Sequence, residues 1–151
     1  MSGLIPGFNS DGVVTVNRVI LKPEYSVDDL QERVAYLCEN VKTYHSETGF
    51  VGGFVALNSG AISNEGSTIG QAVEDPLKGK EALIVTFWQS FEQHEQSHRS
   101  KTFQPLFKKV LELCENGNEE IAYTMLWSGK AYSRKEAAEA RAVKEKYAHA
   151  A

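Results

Sequence analysis

The order in which strand patterns and helix patterns follow one another most restricts the fold of this chain. Apolar alternation or unbroken apolar runs rich in β-branched and aromatic residues predict strands, and apolar residues three and four positions apart predict helices. The predicted strands are residues 13–21, 50–57, 81–88 and 120–127, and the predicted helices are residues 27–48 and 91–115. The order is therefore strand, helix, strand, strand, helix, strand.

A proline interrupts the second helix pattern. Proline lacks the amide hydrogen that a helix interior needs, so Pro105 belongs in a first turn. We therefore predict a break near Ser100 and a second helical segment capped by Thr102. The helix is expected to be kinked within its most polar stretch.

Other local signals support these elements. Ser26 and Ser90 are placed to cap the two helices at their amino ends. His45 lies in the last turn of the first helix, where a cation offsets the helix dipole. Gly52 and Gly53 interrupt the second strand and predict a bulge or a close backbone approach.

The element order is the split β-α-β arrangement of a ferredoxin-like fold. This is an α+β domain in which a four-stranded antiparallel sheet carries two helices on one face. The predicted strands have apolar residues on both faces, so the second sheet face also needs an apolar cover. An identical sheet from a second copy is the simplest cover, and we predict a homodimer.

Three segments lie outside this pattern. Residues 1–12 are rich in Gly, Ser, Asn and Pro and are predicted to be an extended N-terminal segment. Residues 58–80 lose all periodicity and are predicted to be a long loop, of the kind that forms lids, binding loops or partner contacts. Residues 131–151 are predicted to be a helical extension that either frays or lies across a partner subunit. The domain itself is expected to span residues 13–130.

Composition excludes several classes of function. The net charge is -4 and the basic residues are not clustered, which argues against nucleic-acid binding. The only cysteines, Cys38 and Cys114, lie in apolar helix patterns and behave as small hydrophobes, which fits a reducing compartment. The sequence shows neither a signal peptide nor a stretch long enough to cross a membrane, so a cytoplasmic location without membrane partners is expected.

The segment after the third strand holds a motif with a known chemistry. His94, Glu95 and His98 spell H-E-x-x-H, in which two histidines hold zinc and the glutamate is the general base. A third ligand is then needed, and the conceivable ones are Glu112, Glu115 and His45. A zinc hydrolase is one interpretation, but the kinked helix fits it poorly, and no metal site is predicted.

The same region resembles a known family. The run Leu83-Ile-Val-Thr-Phe-Trp-Gln-Ser, followed by a kinked, histidine-containing helix that reaches Phe103, resembles the antibiotic biosynthesis monooxygenase (ABM) domain. That domain is a dimeric α+β barrel, and the resemblance covers about residues 13–130 in element order. Family members include cofactor-independent oxygenases of aromatic polyketides, quinol monooxygenases, haem-degrading enzymes and proteins without known activity.

The resemblance extends to single residues only in part. Asn17 and Arg18 match the Asn-Arg pair of the haem-degrading branch, whose asparagine points into the pocket. That branch also needs a tryptophan and an iron-ligating histidine on the second helix, where this chain has Ser97 and Phe107. Haem degradation is therefore disfavoured. In the quinol-oxygenase-like branch a histidine stands at the position of Ser97, and here His98 is its neighbour.

The resemblance implies a cofactor-independent monooxygenase that acts on an aromatic, quinol-type small molecule. His98, or alternatively His94, would remove a proton from a phenol or quinol, and Asn17 would hydrogen-bond the developing oxyanion. The predicted pocket walls are Trp88, Phe91, Phe103, Phe107 and Tyr123. The alternative is a non-catalytic small-molecule-binding protein of the same fold, with His94 as a core residue and His98 facing solvent or a dimer partner.

Overall fold

A computed structural model describes residues 12–58, 61–63, 72–74 and 80–148. In chain order, its elements are β1 Val13–Ile20, α1 Val27–His45, β2 Phe50–Leu57, β3 Ala61–Ser63, β4 Ala72–Glu74, β5 Glu81–Trp88, α2 Phe91–His98, α3 Phe103–Leu111, β6 Glu120–Thr124 and α4 Arg134–Ala148. The six predicted elements are all present, with the second helix divided into α2 and α3.

The main sheet has the strand order β2-β5-β1-β6, and all its pairings are antiparallel. The apolar strand β5 and the strand β1 are the two central strands, and a nearly continuous apolar sequence such as that of β5 is typical of a central position. The predicted ferredoxin-like α+β fold is confirmed. A single chain does not show the predicted dimeric arrangement.

Most of the predicted helix caps and the predicted helix break are present. Ser26 forms a reciprocal capping box with Asp29, and the hydroxyl of Ser90 accepts the backbone N–H of Gln93. The helix breaks between His98 and Phe103, close to the predicted position. The predicted capping bond of Thr102 is absent, because its backbone is already helical and its hydroxyl lies 2.9 Å from that of Ser100.

The glycines of β2 permit a close approach of two strands. The register with β5 shifts between Phe50 and Gly52, so the predicted irregularity is present. A Cβ added at Gly53 would lie 2.5 Å from the carbonyl oxygen of Val85, closer than any side chain allows. Glycine at this position therefore lets β2 lie against the central strand.

The two faces of the sheet differ in their cover. Alternate strand residues point inward and form one apolar core with α1 and α3. The core includes Val19, Leu30, Val34, Leu37, Val41, Ala82, Ile84, Trp88, Phe103, Val110 and Leu113. The opposite face, here called the outer face, leaves large apolar side chains exposed, namely Phe54, Leu83, Ile121 and Tyr123.

The segments outside the core pattern are described only in part. Residues 1–11 lie outside the described residues, and so does most of the predicted 58–80 loop. Within that loop β3 and β4 pair in antiparallel fashion, so it is not free of regular structure.

The chain divides into two compact units after Leu126. In the second unit α4 starts with a reciprocal cap between Ser133 and Glu136 and has no buried residue. None of the described helices combines the length and the apolar composition that a membrane span requires.

Candidate functional site

A cavity of about 840 Å³ lies between the inner face of the sheet and the helices α1, α2 and α3. Its lining is mainly apolar and includes Leu30, Val34, Leu37, Val41, Ile84, Trp88, Phe103 and Phe107. Pockets that bind small organic molecules have volumes of roughly 300–1,000 Å³ and contain a few polar groups in an apolar wall. The cavity has this character.

The polar groups of the cavity meet around one carboxylate. Oε1 of Glu120 lies 3.3 Å from Nε2 of His94 and 4.0 Å from Nε2 of His98. The amide of Asn17 donates a hydrogen bond of 2.8 Å to Oε2 of the same carboxylate. These four residues are called the polar cluster below.

Secondary structure explains how the cluster forms. His94 and His98 are four residues apart on α2, so their rings share one helix face, with centroids 4.3 Å apart. Glu120 is the first residue of β6 and pairs in register with Asn17 of β1. Directly opposed residues of antiparallel strands point to the same face, so both side chains reach the cavity.

The two histidines have different surroundings. His94 is 2% exposed, its Nδ1 lies 3.2 Å from Oε1 of Glu95, and its ring stands edge-on to Trp88. Its buried Nε2 has no hydrogen-bond partner among the described residues, because the contact with Glu120 lacks hydrogen-bond geometry. The imidazole of His98 is less buried and stacks on Phe103, with a ring separation of 4.8 Å.

Burial lowers the pKa of His98, and the nearby His94 lowers it further, while Glu120 and Glu95 oppose the shift. An imidazole with a lowered pKa is neutral at neutral pH and has a nitrogen lone pair available. The cluster therefore combines a proton acceptor with a carboxylate that stabilises the protonated ring.

Six of the eight predicted site residues line the cavity. They are Asn17, Trp88, His94, His98, Phe103 and Phe107. Ser97 and His98 both line it, so the one-residue shift relative to the quinol-oxygenase-like branch does not remove the histidine from the cavity.

Phe91 and Tyr123 do not line the cavity, contrary to the prediction. Tyr123 pairs with Val14 and lies on the outer face of the sheet, where it is 52% exposed. Phe91 begins α2, is equally exposed and stacks on His94. The predicted strand has apolar residues on both faces, so its sequence does not show which face holds the pocket.

Glu120 was not among the predicted site residues. Its signal was a carboxylate at the start of a strand that pairs with the strand containing Asn17, a polar residue that itself needed a partner. The residue that joins the two histidines of the H-E-x-x-H motif is Glu120. None of the three conceivable ligands named above does so. Glu95 lies against Nδ1 of His94 and does not line the cavity, so the structure gives no positive evidence for a zinc hydrolase.

Comparisons with known proteins support the fold. No family model matches the sequence, and no curated protein matches it. SnoaB, a cofactor-independent oxygenase from Streptomyces nogalater, is a similar solved structure, with 14% identity, a TM-score of 0.56, and coverage of 80% of this chain and 99% of that one.

Two further solved structures are similar. A putative antibiotic biosynthesis monooxygenase from Chloroflexus aurantiacus has 15% identity and a TM-score of 0.52 over 81% of this chain and 99% of its own. The hydroxynitrile lyase from Passiflora edulis has 12% identity and a TM-score of 0.53 over 83% of this chain and all of its own, 100%.

This chain therefore has the fold of the antibiotic biosynthesis monooxygenase proteins, and the predicted resemblance is confirmed at the level of fold. The same fold is found in a lyase, so the fold alone does not determine the chemistry. The polar cluster and the cavity are the features that bear on function.

His45 provides a test of the electrostatics at the end of α1. Burial lowers its pKa, and its buried Nε2 has no hydrogen-bond partner among the described residues, so the predicted role as a dipole-compensating cation does not hold at neutral pH. Because the unfolded chain then binds the proton more readily, the free energy of unfolding should fall as the pH drops from about 7.5 through about 6.5.

Urea unfolding at several pH values tests this expectation. A His45→Gln variant should show a shallower decrease in the free energy of unfolding than the wild type, whereas a Tyr44→Phe variant should follow the wild type. Identical slopes for the wild type and His45→Gln would contradict the assignment.

Proposed function

We propose that this protein is a cofactor-independent monooxygenase that acts on an aromatic, quinol-type small molecule held in the cavity. The observation that supports it most is the position of His98, an imidazole with a lowered pKa that lines an apolar cavity beside a carboxylate. The similarity in fold to a cofactor-independent oxygenase and to a putative antibiotic biosynthesis monooxygenase agrees with this proposal.

The cavity walls suit a flat apolar ring system. Trp88, Phe103 and Phe107 provide aromatic surface near the histidines, and the aliphatic residues of α1 and β5 form much of the remainder. Burial of a ring against such walls stabilises binding through the hydrophobic effect, and the polar cluster selects a ligand with a hydroxyl group at one end.

Proton removal is the first chemical step. Nε2 of His98 accepts the proton of the phenolic hydroxyl, and the carboxylate of Glu120, 4.0 Å away, stabilises the resulting imidazolium. Asn17 holds that carboxylate with one amide hydrogen. The predicted hydrogen bond from Asn17 to an oxyanion stays a prediction. The second amide hydrogen of Asn17 would be its donor.

Reaction with dioxygen follows. The deprotonated ring donates electrons to dioxygen, and a peroxide forms at a ring carbon. Loss of water from this peroxide leaves a carbonyl group. The substrate loses two hydrogen atoms and gains one oxygen atom, and the second oxygen atom leaves as water, so no external reductant is needed.

Oxygen uptake tests this function. Purified protein is mixed with a panel of anthrones, naphthols and hydroquinones, and product mass is measured under ¹⁸O₂. With an active substrate, His98→Ala should lower kcat by roughly 10²–10⁴-fold, since general-base catalysis contributes about this much.

The controls separate catalysis from folding. Asn17→Ala should also lower the rate, whereas Gln96→Ala, on an exposed position of the same helix, should not. An unchanged rate in a variant that lacks both His98 and Asn17 would contradict the proposal. Tight binding of the panel without oxygen uptake would favour the non-catalytic small-molecule-binding protein instead.

We also propose that the protein assembles as a homodimer through the outer face of the sheet. Phe54, Leu83, Ile121 and Tyr123 expose between 37% and 52% of their surface on this face. An apolar sheet face of this kind needs a cover, and the same face of a second copy is complementary to it.

Sedimentation at micromolar concentration tests the assembly. The wild type should sediment at twice the chain mass of 16.7 kDa. Replacement of Leu83 and Ile121 by lysine should give a monomer, because charged residues would oppose each other in the interface, whereas Tyr36→Lys on the exposed side of α1 should leave the dimer intact. A monomeric wild type would contradict the proposal.

A further inference from the structure

We infer that His94, His98 and Glu120 also form a binding site for one divalent transition-metal ion. The inference goes beyond the proposed oxygenase function, and it rests only on the geometry and surroundings of these three side chains. A metal at this site would take up the nitrogen lone pairs that the proposed function needs.

The separations of the donor atoms suit a single ion. One donor atom from each residue can be chosen so that all three lie within 4.8 Å of one another. Metal–nitrogen and metal–oxygen bonds of about 2.0–2.2 Å place neighbouring ligand atoms roughly 3.0–3.5 Å apart. The contact of 3.3 Å between His94 and Glu120 already fits this range, and His98, at 4.0 Å from the same oxygen, needs only a small side-chain movement.

The donor set indicates the class of metal. Two imidazole nitrogens and one carboxylate oxygen suit zinc and the neighbouring transition metals, whereas calcium and magnesium prefer oxygen ligands. Three protein ligands leave coordination positions open. Because all three residues line the cavity, those positions would face a bound small molecule.

The surroundings of His94 provide an independent observation. Its side chain is 2% exposed, and its Nε2 has no hydrogen-bond partner among the described residues although it faces Glu120 at 3.3 Å. Buried polar atoms are nearly always paired, so an unpaired nitrogen that faces two other donor atoms indicates a ligand.

Neighbouring residues orient the ligands as in known metal sites. Oε1 of Glu95 lies 3.2 Å from Nδ1 of His94, so that nitrogen can hold the proton and leave the lone pair on Nε2. Asn17 holds the second oxygen of Glu120 and leaves Oε1 directed at the histidines. Glu95 would thus act as a positioning residue.

Titration calorimetry of the full chain, treated with chelator and dialysed, tests the inference with Zn²⁺ and Co²⁺ as probes. We expect one ion per chain, and Co²⁺ should produce visible absorption bands of a nitrogen- and oxygen-ligated ion. His98→Ala and Glu120→Gln should each weaken binding by at least about 100-fold, since even residues behind the ligands contribute 10–100-fold to metal affinity.

His45→Gln is the matched control, because it removes a histidine outside the cluster and should bind as the wild type does. Circular dichroism establishes that each variant is folded. Absence of stoichiometric binding by the wild type, or equal affinity in the wild type, His98→Ala and Glu120→Gln, would overturn the inference. Since the measured quantity is metal binding, the result does not depend on whether a substrate is found.

Discussion

The carboxylate of Glu120 is the group around which the site is organised. Its side chain is only 17% exposed and lies at the edge of a mainly apolar cavity, where an unpaired charge would be costly. Asn17 satisfies one carboxylate oxygen, and the two histidines face the other. A carboxylate on β6 therefore requires polar side chains at the facing positions of α2, and the two histidines provide them.

Two features of the fold hold this arrangement in place. The antiparallel register of β1 and β6 puts Asn17 directly opposite Glu120. The break between α2 and α3 lets Phe103 stack on His98, which fixes the ring at the end of its helix. The polar cluster thus depends on the pairing of two distant segments and on a helix that stops where it does.

The proposed activity and the inferred metal site make opposite demands on the same atoms. A general base needs a free lone pair on His98, whereas a metal ligand uses that lone pair in a bond. The cavity would suit both the metal-free and the metal-bound protein, since its apolar walls and its single polar end fit a ring compound with one hydroxyl group. Metal availability would then govern whether the base is accessible.

Most of the fold was predictable because its signals are local. The nearly continuous apolar run of β5 is typical of a central strand, and Pro105 indicated the break between α2 and α3. The wrong predictions concern features that depend on residues distant in the sequence. Tyr123 alternates correctly along its strand, but only the assembled sheet shows that it faces away from the cavity.

The composition of the polar cluster was predictable only in part for the same reason. His94 and His98 are close in sequence, so helix geometry alone brings them together. Glu120 joins them from a strand that follows in sequence and comes into place only by pairing with β1. The helical backbone conformation of Thr102 likewise depends on its structural surroundings and not on its own residue type. Its side chain therefore forms no capping hydrogen bond.

Nuclear magnetic resonance of the histidine ring nitrogens tests whether Glu120 faces the two histidines of α2, because it reports on each imidazole separately. The chain contains four histidines, and spectra of ¹⁵N-labelled wild type would be compared with those of Glu120→Gln. The ring resonances of His94 and His98 should shift while those of His45 stay in place. Unchanged resonances for both histidines of α2 would show that Glu120 does not face them, and would contradict the arrangement of the polar cluster.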